Sequence, residues 1–190
     1  MAERVQRIVI IRHGETAWSK TGQHTGRTDL ELLDEGRRAA VALAERLRAH
    51  PFTAVWSSPL RRAWDTCELA GLGASAVADP DLEEWHYGDY EGLRTSEIQV
   101  ERPGWSIWDD GVPNGETIED VAGRARRVLR RVRSVDGDVA LVAHGHLLRI
   151  LASCWLGADP RFGRQLALGP ASISVLSTDH EAPAILHWNG

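Results

Sequence analysis

Two stretches of the chain end an apolar run on a histidine followed by glycine: Arg12-His13-Gly14 after Ile8-Val9-Ile10-Ile11, and His144-Gly145 after Val139-Ala140-Leu141-Val142-Ala143. Arg12 precedes the first histidine, so a cation and an imidazole leave the same run together. Phosphoryl transfer asks for that pair. Its charge is spread over equatorial oxygens that cations must neutralise, and it needs an in-line nucleophile. Arginine grips phosphate with a planar fork that stays protonated. A neutral imidazole carries a lone pair able to attack phosphorus, and neighbouring cations oppose its protonation. Ser57-Ser58 ends a third apolar run, with Arg62 one helical turn beyond. A carboxylic acid must protonate the leaving alkoxide. Glu83 and Glu84, beside Trp85 and Tyr87, are the two candidates, with apolar cover expected to favour a protonated carboxyl. The competing reading is of strands that merely finish on charged residues; the recurrence of His-Gly weighs against it.

These residues need strands to deliver them to one edge. The apolar runs, rich in β-branched residues, read as strands buried on both faces, and ligands of open α/β sheets bind at their carboxyl ends. Trp18 to Leu33 reads as a polar functional loop. Asp34 is expected to cap a helix reaching about His50, with Ala39, Leu43 and Leu47 on its inner face. Residues 53–57 read as the next strand. Pro59 suits the first turn of the following helix, Gly71 or Gly73 stops it, and residues 74–78 suit a short edge strand. Thr117 and Asp120 resemble a capping box, opening a helix whose inner stripe is Val121, Ala125, Val128 and Val132. Leu147 to Trp155 is apolar nearly all round and is expected to be a buried helix. Residues 171–176 and 184–188 look like closing strands. The expected fold class is α/β, three layers with a mostly parallel sheet and helices on both faces.

Residues 79–115 break this alternation with three prolines, many aromatics and one short helix expected near 96–101. They are expected to form a lid or specificity excursion rather than a second domain, so the chain reads as a single domain over 1–190. With 190 residues, 43% hydrophobic and 26% charged, the chain is an ordinary soluble globule. No apolar stretch is long enough to span a bilayer. The charged N-terminus with its very short apolar run is not that of a secretory leader. Cys67 and Cys154 form no CxxC or metal pattern, which suits a reduced cytoplasm. A net charge of -5 argues against a nucleic-acid binder; the basic run of Arg124, Arg126, Arg127, Arg130, Arg131 and Arg133 is expected to be a solvated helix face.

Taken together, Arg12-His13-Gly14-Glu15-Thr16, Thr25-Gly26, Ser58-Pro59-Leu60-Arg61-Arg62-Ala63, Leu82-Glu83-Glu84-Trp85-His86-Tyr87-Gly88, Gly115-Glu116-Thr117 and Ala143-His144-Gly145 resemble the histidine phosphatase superfamily, which includes the cofactor-dependent phosphoglycerate mutases. The resemblance covers most of the chain in order. It implies that His13 is the phosphorylated nucleophile, that Arg12, Arg62 and His144 bind the phosphoryl group, and that Glu84 rather than Glu83 donates the proton. It also places Ser19, Thr25, Gly26, Gly145 and His146 around the phosphate or substrate, and implies no metal and no cofactor. Many members carry Asn after the loop tryptophan; here Trp18 is followed by Ser19, whose hydroxyl has a shorter reach. Trp18 to Gly26, Glu84 to Gly92 and His144-Gly145-His146 resemble a narrower branch of fungal sedoheptulose-bisphosphatases and actinobacterial acid phosphatases.

The expected activity is hydrolysis of small phosphomonoesters such as sugar phosphates. The alternatives are a mutase and a non-catalytic phosphate-binding module. Between Gly88 and Thr117 the only cations are Arg94 and Arg102, few for gripping a phosphoglycerate carboxylate. The expected partner is the small substrate, with neither nucleic acid nor membrane, and a homodimer is left open. His144 and His146 alternate as metal ligands can, but without a carboxylate-rich partner motif; His146 suits a hydrogen bond at the helix start. Glu15 and Thr16 either orient Arg12 or finish the turn. Trp105 and Trp108 either line the lid over a sugar or pack it down, packing being the commoner role.

Overall fold

In the computed structural model, which describes residues 5–190, residues 1–4 of the N-terminal stretch read for a leader lie outside the described residues. The strands are β1 (Ile8–Arg12), β2 (Phe52–Ser57), β3 (Ala76–Ala78), β4 (Asp138–Ala143), β5 (Ile173–Asp179) and β6 (Ala182–His187). They form one sheet in the order β3-β2-β4-β1-β5-β6. Pairings among β1 to β4 are parallel, whereas β5 runs antiparallel to β1 and β6 antiparallel to β5. The mostly parallel α/β fold expected from the sequence is the one found.

Both faces are covered, which is why the central strands read as unbroken apolar runs. Ile8 and Ile10 of β1 point with Val139 and Leu141 of β4 into one core layer, under α6 (Ile118–Val132) and α7 (Gly145–Trp155). Val9, Ile11, Ala140 and Val142 point the other way, onto α2 (Asp34–Leu47) and α3 (Arg61–Leu69). The expected stripe Val121, Ala125, Val128 and Val132 is fully buried, and Thr117 with Asp120 closes the capping box of α6.

Three local readings are corrected. The stretch 18–33 is not all loop: Thr16 caps a short helix, α1 (Ala17–Thr21), through a reciprocal capping box with Ser19. The inner face of α2 is Gly36, Ala40, Leu43 and Leu47, with Ala39 exposed, because the helix begins at Asp34 after an N-cap at Leu33. Asp34 therefore contributes charge in the first turn rather than a cap. Pro59 precedes α3, whose N-cap is Leu60.

Residues 79–115 cross the carboxyl ends of the parallel strands and hold α4 (Thr95–Glu101) and α5 (Ile107–Asp110). Leu82, Trp85, Tyr87, Trp105 and Trp108 bury their side chains in the same core layer as α6 and α7. The excursion is thus anchored by its aromatics. Two chain approaches demand glycine: a Cβ on Gly36 would meet the Glu15 carbonyl oxygen at 2.3 Å, and one on Gly14 would meet the Gly36 oxygen at 2.5 Å. The turn after β1 is therefore pressed against the first turn of α2.

Candidate active site

The register of the sheet brings the two His-Gly turns together. Arg12 pairs opposite Ala143, and the His13 N–H donates to the Ala143 carbonyl at 3.0 Å. On the far side of β4, the Ser58 N–H donates to the Val142 carbonyl at 2.9 Å. His13, Ser58 and His144 thus leave three adjacent parallel strands at one level. The His13 and His144 rings lie 5.2 Å apart between centroids.

His13 is buried, and its Nδ1 lies 2.7 Å from the Gly14 carbonyl oxygen. A carbonyl can only accept, so Nδ1 carries the proton and Nε2 keeps a lone pair. Burial pushes this imidazole well below its ordinary pKa of 6.5, and the Arg62 and Arg12 charges push the same way. The ring is neutral and has a defined tautomer.

Arg62 is fully buried and does not line the cavity. Its Nε donates to His144 Nδ1 at 3.2 Å, Nη1 to the Thr28 carbonyl at 3.0 Å, and Nη2 to the Thr25 and Gly26 carbonyls at 3.1 and 2.8 Å. Four of its five N–H groups are thus engaged within the protein. Thr25 and Gly26 therefore act on Arg62 through main-chain oxygens. A guanidinium cannot accept, so His144 is protonated on Nε2, which donates to Ser58 Oγ at 2.8 Å. His144 is likewise driven well below 6.5, by burial first and then by Arg62. Both its nitrogens are engaged, and among the described residues no three His, Cys, Asp or Glu side chains converge as metal ligands.

Arg12 presents the open cation. It lines the cavity, donates from Nη1 to the Leu168 carbonyl, and has its buried Nε without a hydrogen-bond partner among the described residues. A Cβ on Gly145 would come within 3.4 Å of Arg12 Cζ and Nε, so glycine there makes room for the guanidinium.

Glu84, not Glu83, enters the cavity. Its surroundings differ from the apolar cover expected of Trp85. Glu84 Oε1 accepts from the Trp85 and Leu147 N–H groups, both at 2.9 Å, and Oε2 accepts from the His146 N–H at 3.0 Å. Two of these donors are unpaired N–H groups in the first turn of α7, where an acceptor is favoured. His146 supplies the expected helix-start bond through its main chain; its ring packs edge-on to Trp85 and Tyr87. Tyr87 Oη lies 2.7 Å from His146 Nδ1. Burial raises the phenol well above 10 and lowers the imidazole well below 6.5, so the hydroxyl donates and His146 is neutral.

The cavity, about 430 Å³, is walled by Trp105, Trp108 and His24, with Ser19, Thr25, Gly145 and His146 also on its lining. Ser19 reaches it while its hydroxyl is also spent on Thr16, accepting from the Thr16 N–H at 2.8 Å. Thr16 finishes the turn by capping α1, and Glu15 accepts the Leu33 N–H through its carbonyl. Trp105 and Trp108 serve both expected roles, being buried and lining.

Sequence reasoning missed Arg149, a second cation in the cavity whose guanidinium lies 4.6 Å from the Trp108 ring centroid. Its signal was present: one arginine inside an otherwise apolar helix needs a partner. His24, whose ring lies tilted with its centroid 4.8 Å from that of Tyr87, was missed because it sits in a loop without periodicity. The basic run on α6 is largely the solvated face expected, with Arg126, Arg127, Arg130 and Arg133 exposed. Arg127 and Arg131 also pair with Asp79 and Asp81 of the excursion, and Arg124, tied to Glu116, is the exception. Cys67 is buried, with its thiol pushed up to about 12, and takes no part.

A family model described as histidine phosphatase superfamily (branch 1) matches residues 8–190. The chain belongs to the histidine phosphatase superfamily. Similar curated histidine phosphatase relatives include an acid phosphatase of Mycobacterium tuberculosis, 39% identical over 95% of this chain and 90% of that protein. A sedoheptulose 1,7-bisphosphatase of Saccharomyces cerevisiae is 36% identical over 83% of this chain and 70% of the yeast protein. Among solved structures, a mycobacterial glucosyl-3-phosphoglycerate phosphatase in complex with VO3 superposes with a TM-score of 0.87 at 32% identity, covering 97% of this chain and 99% of that one. No helix among the described residues is long and apolar enough to cross a membrane.

Proposed function

We propose that this histidine phosphatase domain, residues 1–190 with 79–115 as its lid, hydrolyses small phosphomonoesters, sugar phosphates or bisphosphates, through a phosphohistidine on His13. The observation that carries this reading is the His13 tautomer: Nδ1–H is held by the Gly14 carbonyl, leaving the Nε2 lone pair free in a residue that lines the same cavity as Arg12, whose buried Nε has no hydrogen-bond partner among the described residues. His13 Nε2 attacks phosphorus as the ester P–O bond breaks, and Glu84 gives its proton to the departing alkoxide. The resulting Glu84 carboxylate then takes a proton from water, whose oxygen displaces His13 and releases phosphate. Arg12 binds the equatorial oxygens through its open edge. Arg62, buried and held by His144 and three loop carbonyls, supplies positive charge to the site. Ser19, Thr25, Gly145 and His146 line the surroundings.

The relatives' names support a phosphatase. A cavity of about 430 Å³ falls in the usual range for small ligands. Its second cation, Arg149, on the Trp108 wall, suits a leaving group with its own anionic substituent. A mutase must hold a phosphoglycerate carboxylate with cations of the lid, but Arg94 and Arg102 are absent from the lining. A non-catalytic binding module has no use for a cavity holding both His13 and Glu84.

The test is to mix the enzyme briefly with ³²P-labelled substrate and quench without acid. Acid-labile, base-stable label is expected on the wild type and none on His13→Ala, whose turnover is lost while its melting curve is kept. Full activity in His13→Ala would sink the mechanism. A screen of phosphosugars, phosphoglycerates, nucleotides and phosphopeptides then identifies the leaving group.

A further inference from the structure

Arg124 comes from the basic face of α6, yet only 12% of its side chain is exposed. Its guanidinium makes a two-point bridge to Glu116, Nε to Oε1 and Nη2 to Oε2, both at 2.8 Å. The same group donates to three main-chain oxygens: Asp81 at 3.0 Å, Glu83 at 2.7 Å and Glu84 at 3.3 Å. Glu116 completes the tie. Its Oε2 accepts the His86 N–H at 3.0 Å, its carbonyl accepts Trp85 Nε1 at 2.8 Å, and its N–H donates to the His86 carbonyl at 2.9 Å.

Every residue from 83 to 86 is therefore bonded to Arg124 or Glu116. That segment lies outside helix and strand, so no ladder of its own fixes where it runs. Its Glu84 side chain must nevertheless reach across to α7. A general acid works only within hydrogen-bond reach of the atom it protonates, and the backbone on which it stands must be held accordingly. We infer that Arg124, acting with Glu116, is the positioning residue for Glu84, fixing the 83–86 segment so that the carboxyl meets the leaving oxygen. This rests on the reading of Glu84 as proton donor. Lysine cannot replace Arg124, since a point charge on a flexible stem cannot bridge a carboxylate at two points and bind three carbonyls as well.

The experiment measures kcat/KM of wild type, Arg124→Lys, Glu116→Gln and Glu84→Gln on p-nitrophenyl phosphate and on glycerol phosphate, because kcat/KM reports formation of the phosphohistidine and not the water step that both substrates share. The first has a leaving group that departs unaided, the second one that needs the proton. Arg124→Lys is expected to lower kcat/KM on glycerol phosphate by about ten- to a hundredfold, the scale of an ångström-level misplacement. Its kcat/KM on p-nitrophenyl phosphate should fall about threefold at most, because His13 and Arg12 are untouched. Glu116→Gln, the milder change, should show the same pattern at smaller size, and combining either variant with Glu84→Gln should add little. Leaving-group dependence in Glu84→Gln but equal losses on both substrates in Arg124→Lys and Glu116→Gln would overturn the positioning role and leave the acid assignment standing. Absence of that dependence from Glu84→Gln overturns the acid assignment itself.

Discussion

On the proposed mechanism His13 attacks phosphorus only while its ring is uncharged, and burial together with Arg62 and Arg12 keeps it so. The sign follows directly: both cations penalise imidazolium, so removing one raises the pKa toward 6.5. An NMR titration should find the His13 ring still neutral below that value in the wild type. Arg12→Met should move the midpoint upward; a downward or absent shift would contradict the assigned role of the charge. Glu84 carries the second prediction at this scale. Glu84→Gln should slow hydrolysis of a sugar phosphate by about a hundredfold or more, the usual contribution of a general acid, and p-nitrophenyl phosphate distinctly less. Glu83→Gln should change neither, since Glu83 is turned away from the cavity lining. The exchanged pattern would exchange the two roles.

The elements set these residues by close approach. β1 and β4 deliver the His-Gly turns because their pairing is parallel and in register, and α7 starts at once, so its first N–H groups meet Glu84. The absence of a side chain at Gly145 seats Arg12. Gly145→Ala would place a methyl 3.4 Å from Arg12 Cζ and Nε, in ordinary contact with the guanidinium and taking up space beside the Nε that a phosphate oxygen would approach. Kinetics should show a raised KM for phosphate esters with little change in melting temperature. Gly36→Ala is the opposite case, because its Cβ would meet the Glu15 oxygen at 2.3 Å. Backbone on both sides has nowhere to go, and denaturant unfolding should show a loss of about 1–3 kcal/mol or more, as for overpacked sites.

For the molecule as a whole, four histidines of the cavity region have a lowered pKa: His13, His24 and His144, which are buried, and His146, which is half-buried. Unfolding exposes rings of ordinary pKa 6.5, which take up protons that the native rings refuse. Their contribution to stability is therefore complete above 6.5 and is lost as pH falls below it, by up to about 1.4 kcal/mol per pH unit for each ring until its native pKa is reached. Thermal melts should show a midpoint that falls on acidification from about pH 7 to about pH 5.5, with a shallower fall in His144→Gln. Metal dependence belongs to the same scale, since on the proposed mechanism the charge that Mg²⁺ neutralises elsewhere is met by arginines. Exhaustive chelation should leave the rate unchanged; a collapse restored by Zn²⁺ or Mg²⁺ would revive His144 and His146 as ligands.

What the amino-acid sequence determined by itself was whatever a periodic or local signal can carry. Buried strands are unbroken apolar runs, so β1 and β4 and the turns that follow them were legible, and with them His13 and His144. The α6 stripe and its capping box were legible for the same reason. Only the tertiary structure decided how each polar group is used. Arg62 has an arginine's five donors on any reading, but the fold turns four of them to Nδ1 of His144 and the carbonyls of residues 25, 26 and 28. Glu84 sits beside Trp85 in the chain, yet its oxygens meet N–H groups some sixty residues away. Arg124 looked like one more solvated cation until residues 81–84 folded over it. Hydrogen bonds between segments distant in sequence leave no periodic trace, because a donor's type constrains what it can bond but not which acceptor the fold will bring to it.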